Sequence, residues 1–203
     1  MRTALTVLSI IAGYLLGSVP IGVLTVRLLK GAEIRQIGSG RTGATNVYRA
    51  AGPWGAAITT LGDVLKGLVA VWLARALTGS VWVEAVAGIT AVCGHNWSVF
   101  LGFKGGAGTL TSLGVVAAMN PYAAAALIVP AIAVLVITRT ASKASITIAL
   151  AMGPVLAVFA ALRITPWGYV LFGFGCAFLT IYALMPNIKR ILSGEERRLE
   201  TNY

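Results

Sequence analysis

Seven apolar stretches, most of them about as long as a bilayer is thick, follow one another along this chain, and few charges interrupt them. A helix crossing roughly 30 Å of hydrocarbon needs about 20 mostly apolar residues. Residues 3–29, 54–76, 81–101, 122–138, 145–162 and 167–184 meet or approach that length, and 109–119 is about half of it. Asn120-Pro121 breaks the chain after the short stretch, and Pro130 is placed to kink the next one. Charged residues make up 11% of the chain, against roughly 25% in soluble domains. A soluble protein of this size needs a polar skin that such a composition cannot supply. The expected fold is all-α: a polytopic membrane helix bundle of about seven transmembrane helices, a single domain over 1–203 with a short tail at 186–203. The first stretch is too long for a signal-peptide core and no small-x-small cleavage site closes it, so it is expected to remain as a helix.

Lysines and arginines fix the orientation, because they concentrate in cytoplasmic loops. Lys30, Arg35, Arg41 and Arg49 follow the first stretch and Lys104 follows the third. Arg139 and Lys143 precede the sixth, and Lys189, Arg190, Arg197 and Arg198 lie in the tail. With alternating helices these share one side, and only Arg2, Arg75 and Arg163 fall on the other. The N-terminus is therefore expected outside and the C-terminus in the cytoplasm, with the tail as a short amphipathic helix at the surface. The net charge of +10 follows from this bias. Nucleic-acid binding would need a basic face free of lipid, and none is present. One histidine, His95, and two cysteines inside apolar runs, Cys93 and Cys176, give no metal-ligand motif, so no metal is expected.

The loops expected on the cytoplasmic side share a pattern. The first reads Gly38-Ser39-Gly40-Arg41-Thr42-Gly43-Ala44-Thr45-Asn46-Val47-Tyr48-Arg49. Its glycines let successive N–H groups face one ligand, which is how backbone nests bind anions. Ser39, Thr45 and Asn46 add neutral donors, while Arg41 and Arg49 add planar cations suited to phosphate. The second loop runs from Gly94-His95 to Lys104-Gly105-Gly106-Ala107-Gly108 and opens a helix whose N-terminus favours an anion. The third, Arg139 to Ile146, places Ser142 and Ser145 on one face of an opening helix. Each has a plainer reading: a mobile loop with ordinary positive-inside arginines, an inter-helix hinge, and a serine N-cap. Asp63 and Lys66 stand one turn apart inside a hydrophobic stretch, either as a neutralised pair or as a pair orienting a loop. Together the loops imply an anionic ligand, and the adjoining bundle offers grooves for an acyl chain.

The motifs Gly38-Ser39-Gly40…Gly43-Ala44-Thr45-Asn46…Arg49, Gly94-His95…Phe103-Lys104-Gly105-Gly106…Gly108, Ser142…Ala144-Ser145-Ile146 and Asn187-Ile188…Arg190 occur in this order. In them the chain resembles the bacterial acyl-phosphate–glycerol-3-phosphate acyltransferases, the PlsY family, over nearly its whole length. The resemblance implies transfer of an acyl group from acyl phosphate to the 1-position of glycerol 3-phosphate in the bacterial plasma membrane, without a cofactor and with the active site facing the cytoplasm. It implies catalytic roles for Lys104, Ser142 and Asn187. It implies substrate or phosphate contacts for Ser39, Gly40, Arg41, Gly43, Thr45, Asn46, Arg49, His95, Gly105, Gly106, Gly108 and Ser145, with Asp63 and Lys66 orienting them. The chain departs from the usual family pattern at Ala107, where Lys is usual, and at Leu184, where His is usual. Two other readings use the same residues: a silent relative binding acyl phosphate or lysophospholipid, and a carrier of organic phosphate. A carrier is expected to show internal repeats with helices broken at mid-membrane, and no convincing repeat is visible.

Overall fold

A computed structural model describes residues 1–199. Eight α-helices account for about three quarters of it: α1 Arg2–Ser18, α2 Ile21–Lys30, α3 Ala44–Thr78, α4 Val81–Asn96, α5 Thr109–Met119, α6 Pro121–Thr138, α7 Ala141–Ala161 and α8 Gly168–Leu192. There is no strand among the described residues. Five segments are long and apolar enough to cross a membrane: Arg2–Lys30, Ala44–Thr78, Pro121–Thr138, Ala141–Ala161 and Gly168–Leu192. α4 with 16 residues and α5 with 11 are shorter. The apolar outer face of the bundle, including Trp54 on α3, Val129 and Ile137 on α6 and Phe178 on α8, is exposed on the protein, as a lipid-solvated bundle requires.

Three expectations are corrected here. The stretch 3–29 is not one helix. Proline disfavours the helical conformation in the residue before it and donates no N–H, so the chain leaves the helix at Val19 and restarts after Pro20. The carbonyl released at this break is taken by Lys66 Nζ, which donates to Val19 O at 3.1 Å. The stretch beginning at residue 54 starts ten residues earlier, at Ala44, and kinks at Gly52, whose φ of 73° precedes Pro53. Finally, the tail is not a separate surface helix from 186. α8 runs through Pro186 to Leu192, and the chain then folds back over the bundle, with Leu199 N–H donating to Arg139 O at 2.7 Å.

Small residues set how closely the helices approach. α1 packs on α4 and α3. Gly13 and Gly17 form a small-xxx-small face, and a Cβ on Gly17 would lie 1.9 Å from Ala91 O. α3 packs equally tightly on α5, α7 packs on α6 and α8, and α4 joins α8. α5 therefore stands at the centre, between α3 and α6, and nearly all of its residues from Thr111 to Ala118 are buried. Arg75 caps its far end. One guanidinium nitrogen, Nη2, donates to Ala118 O at 3.0 Å and lies 2.8 Å from Glu84 Oε2, while Tyr169 donates its hydroxyl to the same carboxylate oxygen at 2.7 Å. A helix half a bilayer long is thus held at its C-terminal end by an ion pair, and its N-terminal end opens into a cleft.

Candidate functional site

The cleft has a volume of about 570 Å³. Its polar end is built where α3, α5 and α7 begin. Gly43 precedes α3, Gly108 precedes α5 in the left-handed conformation (φ 75°), and Thr140 precedes α7. None of the three helices has an acidic residue in its first turn or a hydrogen bond from its N-cap side chain. Gly43, Ala44 and Thr45, then Gly108 and Thr109, then Ala141 and Ser142 all line the cleft. Three positive helix ends directed at one space favour an anion more strongly than one.

Arginines supply full charge. Arg41, Arg49, Arg190 and Arg197 line the same space. Arg41 crosses it, donating from Nη2 to the carbonyl of Ala183 on α8. Burial pushes the Arg41 guanidinium pKa down and neighbouring Arg190 adds to this, with Glu196 opposing. An arginine remains charged under such pressure, so Arg41 keeps its positive charge in the cleft, with Glu196 offsetting part of the repulsion from Arg190. Arg49 lies along Gly38, where an added Cβ would be 3.5 Å from its Cδ.

Asn46, expected to contact phosphate, lines the cleft and also shapes the loop beside it. Its Oδ1 accepts from Ser39 N–H at 3.1 Å, and its Nδ2 faces Ile37 O and Arg41 O, both at 2.9 Å, and Ile34 O at 3.3 Å. The side chain is buried and fully engaged in shaping the 34–41 loop. Gly38 permits this with φ 55°, since a Cβ there would meet Asn46 Oδ1 at 2.4 Å.

A second support enters from below. Lys66 Nζ is 2.8 Å from Asp63 Oδ1, and His95 Nδ1 is 3.4 Å from the same oxygen. All three side chains are buried. The far nitrogen of the His95 ring, Nε2, lies so close to Gly106 that a Cβ there would fall 2.1 Å from it. Gly106 N–H also donates to His95 O at 3.0 Å. His95 therefore grips the glycine loop with both ring and backbone, and Asp63 fixes the ring.

The third support was not legible as part of the site. Glu196 accepts from Asn187 Nδ2 at 2.8 Å and Ser142 Oγ at 3.0 Å through Oε1, and from Arg190 Nε at 2.9 Å through Oε2. Burial pushes its carboxyl pKa up, but the hydrogen bonds from Asn187, Arg190 and Ser142 prevail and hold it below the usual glutamate value. Its position nine residues after Asn187, in a stretch of mixed charge, is the one sequence signal for it.

Of the residues expected in the site, Ser39, Arg41, Gly43, Thr45, Asn46, Arg49, Asp63, His95, Gly106, Gly108, Ser142, Ser145 and Asn187 line the cleft. Gly40, Gly105 and Lys104 are not among its lining residues, and Lys104 is exposed on the loop outside it. Lys66 stands behind Asp63. Ala107 and Leu184 both line the cleft. Away from the polar end, the lining turns apolar along α5, α6 and α7, through Leu110, Leu113, Leu135 and Ile148.

The family model for glycerol-3-phosphate acyltransferase matches residues 7–194. A glycerol-3-phosphate acyltransferase of Desulforudis audaxviator (strain MP104C) is 46% identical over 198 residues, covering 97% of each chain. Glycerol-3-phosphate acyltransferase 2 of Moorella thermoacetica is 42% identical over 192 residues, covering 95% of this chain and 96% of its own. Among solved structures, PlsY (YgiH), an integral membrane glycerol 3-phosphate acyltransferase, matches in its glycerol 3-phosphate form with a TM-score of 0.87 at 35% identity, over 97% of this chain and 96% of that one. Its lysophosphatidic acid form matches with a TM-score of 0.85 at 33% identity and the same coverage.

Proposed function

This chain belongs to the glycerol-3-phosphate acyltransferase family, and from that premise we propose that it moves a fatty acyl group from acyl phosphate to the 1-hydroxyl of glycerol 3-phosphate. The products are 1-acyl-glycerol 3-phosphate and inorganic phosphate. The observation carrying this reading is the convergence of three helix N-termini and four arginines at the polar end of a cleft whose other end is apolar. Such a cleft suits two phosphates and one hydrocarbon chain.

Acyl phosphate is an activated mixed anhydride, so the reaction needs no protein nucleophile. The glycerol hydroxyl oxygen bonds to the acyl carbon. The carbon–oxygen bond to phosphate breaks, its electron pair leaves with phosphate, and the hydroxyl proton passes to a phosphate oxygen. The protein's work is to bring two anions together and to stabilise the charge that develops between them. Arg41 and Arg49, with the amides after Gly43 and Gly108, hold phosphates. Ser39, Thr45 and Ser145 donate hydrogen bonds. Ser142 and Asn187 act at the reacting end, positioned by Glu196, while Asp63, Lys66 and His95 brace the Gly106 loop. Lys104, exposed on the loop outside the lining residues, reaches toward the phosphates only through its long, flexible side chain.

The loop side faces the cytoplasm of a bacterial cell, with the N-terminus outside, seven crossings and one membrane domain. The distribution of lysine and arginine supports this orientation. Purified protein in detergent, given palmitoyl phosphate and glycerol 3-phosphate, is expected to release phosphate and form the 1-acyl product. Arg49→Ala and Lys104→Ala are expected to lose this activity. Turnover no higher than that of an empty-membrane control rejects the reading.

A further inference from the structure

We propose that Arg197, carried to the cleft by the strap of chain that folds back after α8, binds a phosphate group of the substrates. The inference rests on the acyl-transfer reading and adds a binding residue to it. The end of α8 aims the strap. Gly194 has a φ of 76°, which lets the backbone reverse. Its N–H donates to Ile191 O at 3.2 Å, and the N–H of Glu195 donates to Arg190 O at 2.8 Å. These paired bonds close a helix and turn the chain back along it. The strap is then fastened at two points. Glu196 accepts from Ser142, Asn187 and Arg190. Three residues on, Leu199 N–H donates at 2.7 Å to the carbonyl of Arg139, which ends α6. The strap therefore passes the start of α7, tied to α8 on one side and to α6 on the other.

Between the two ties, Arg197 lines the cleft and its neighbour Arg198 does not. The other groups nearby already have partners. Arg41 donates to Ala183 O, and Arg190 Nε is 2.9 Å from Glu196 Oε2. Glu195 accepts from Ser193 Oγ at 3.2 Å and is not among the lining residues. Arg197 makes neither a hydrogen bond nor an ion pair with another described residue, and it is exposed. A guanidinium presents five N–H donors and no acceptor. At the rim of a cationic cleft its fitting partner is a phosphate, whose oxygens can take two parallel N–H bonds. The tie at Glu196 fixes the backbone one residue away, which lowers the ordering cost of that contact. Both glycerol 3-phosphate and acyl phosphate carry the group that Arg197 recognises.

The test measures KM for glycerol 3-phosphate, KM for palmitoyl phosphate and kcat in the full-length wild type, Arg197→Ala, Arg198→Ala and Leu199→Pro. Arg197→Ala is expected to raise a KM about tenfold, the loss of one charge-assisted hydrogen bond, with kcat and melting temperature nearly unchanged. The substrate whose KM rises is the one whose phosphate Arg197 holds, and a rise in both places it between the two. Arg198→Ala is expected to match the wild type. Leu199→Pro has no N–H for Arg139 O, so it is expected to raise the same KM, and adding Arg197→Ala to it raises that KM no further. Should the proline variant fail to fold, the two arginine variants decide. Both KM values unchanged in Arg197→Ala overturn the proposal, as does an equal rise in Arg198→Ala, and acyl transfer stands in either case. An inactive wild type overturns the acyl-transfer reading. Thermal stabilisation by glycerol 3-phosphate and by palmitoyl phosphate then decides for Arg197: loss of it in Arg197→Ala alone supports the contact, and equal stabilisation of wild type and both arginine variants overturns it.

Discussion

Glu196 accepts a hydrogen bond from Ser142 at 3.0 Å although the two residues stand 54 apart in the sequence. One carboxylate thereby joins the start of α7 to Asn187 and Arg190 near the end of α8. Three donors on one carboxylate make it a positioning group for the residues expected to act at the reacting atoms. Removing it leaves Arg190 without its anion and frees both Ser142 and Asn187. Glu196→Ala is expected to lower kcat about 10²-fold, the loss that a misplacement of about 1 Å brings. Glu196→Gln keeps a polar group in place and is expected to retain more activity. An Ala variant with wild-type kcat refutes the positioning role.

The same carboxylate gives the site an acid limit. Its folded-state pKa lies below the usual glutamate value, so the stabilisation it brings is fully present above about pH 4.3, the unfolded glutamate value. That stabilisation is lost as pH falls through the lower folded value. Melting temperature in detergent is expected to fall along this acid limb in the wild type and to fall less in Glu196→Gln, which has no proton to gain there. Identical acid limbs in the two proteins contradict the assignment.

The buried trio of Asp63, Lys66 and His95 makes a prediction about partners rather than single residues. Asp63→Asn leaves Lys66 buried without its counter-charge, with neutral acceptors such as Val19 O. Removing one member of a buried pair costs roughly 3–5 kcal/mol, largely the cost of the charge left behind. The double variant Asp63→Asn with Lys66→Met removes both charges and is expected to be more stable than Asp63→Asn alone. Thermal unfolding of the purified proteins compares them, and a double variant less stable than the single argues against an ion pair.

The trio also shows where sequence reading stops. Asp63 and Lys66 are one helical turn apart, so their pairing follows from local geometry. His95 joins them only because α4 packs beside α3, which no local pattern encodes. The apolar runs disclosed the helices, because burial in lipid dictates composition directly. Glycines beside cations disclosed the loops around the cleft. Neither pattern states direction: Asn46 turns its amide to the loop, and Lys104 lies outside the lining residues. The break at Val19 was available from Pro20, but the hydrophobicity of 3–29 masked it. Glu196 reaches the site by a fold-back of the chain after α8, and composition read that segment as a surface helix.

Close contact between Gly106 and His95 predicts a steric lesion. A methyl at Gly106 would fall 2.1 Å from Nε2 of the imidazole, a ring with no flexible end to move away. Gly106→Ala is therefore expected to displace the loop leading to α5 and to cost about 10²-fold in kcat/KM. Adding His95→Ala removes the clash and is expected to recover part of the loss, whereas His95→Ala alone loosens the loop. No recovery in the double variant places the lesion elsewhere.

Ala107 stands in the cleft one residue before Gly108, the N-cap of α5. It is only partly buried, so a longer side chain has room to extend toward the anion site. Of the four arginines there, Arg190 already shares its charge with Glu196. A fifth cation adds attraction for the two phosphates. At 4 Å a pair of unit charges is worth about 1 kcal/mol in water and about 4 kcal/mol near a protein surface, and the flexible lysine side chain loses part of that to ordering. Ala107→Lys is accordingly expected to raise kcat/KM for glycerol 3-phosphate by up to about tenfold at low ionic strength. The gain should shrink as salt screens the added charge. Ala107→Met matches the size without the charge and is expected to show no such gain. A lysine variant that tracks the methionine variant at every salt concentration means that position 107 does not face the phosphates, and the anion site is then confined to the arginines and the ends of α3 and α7.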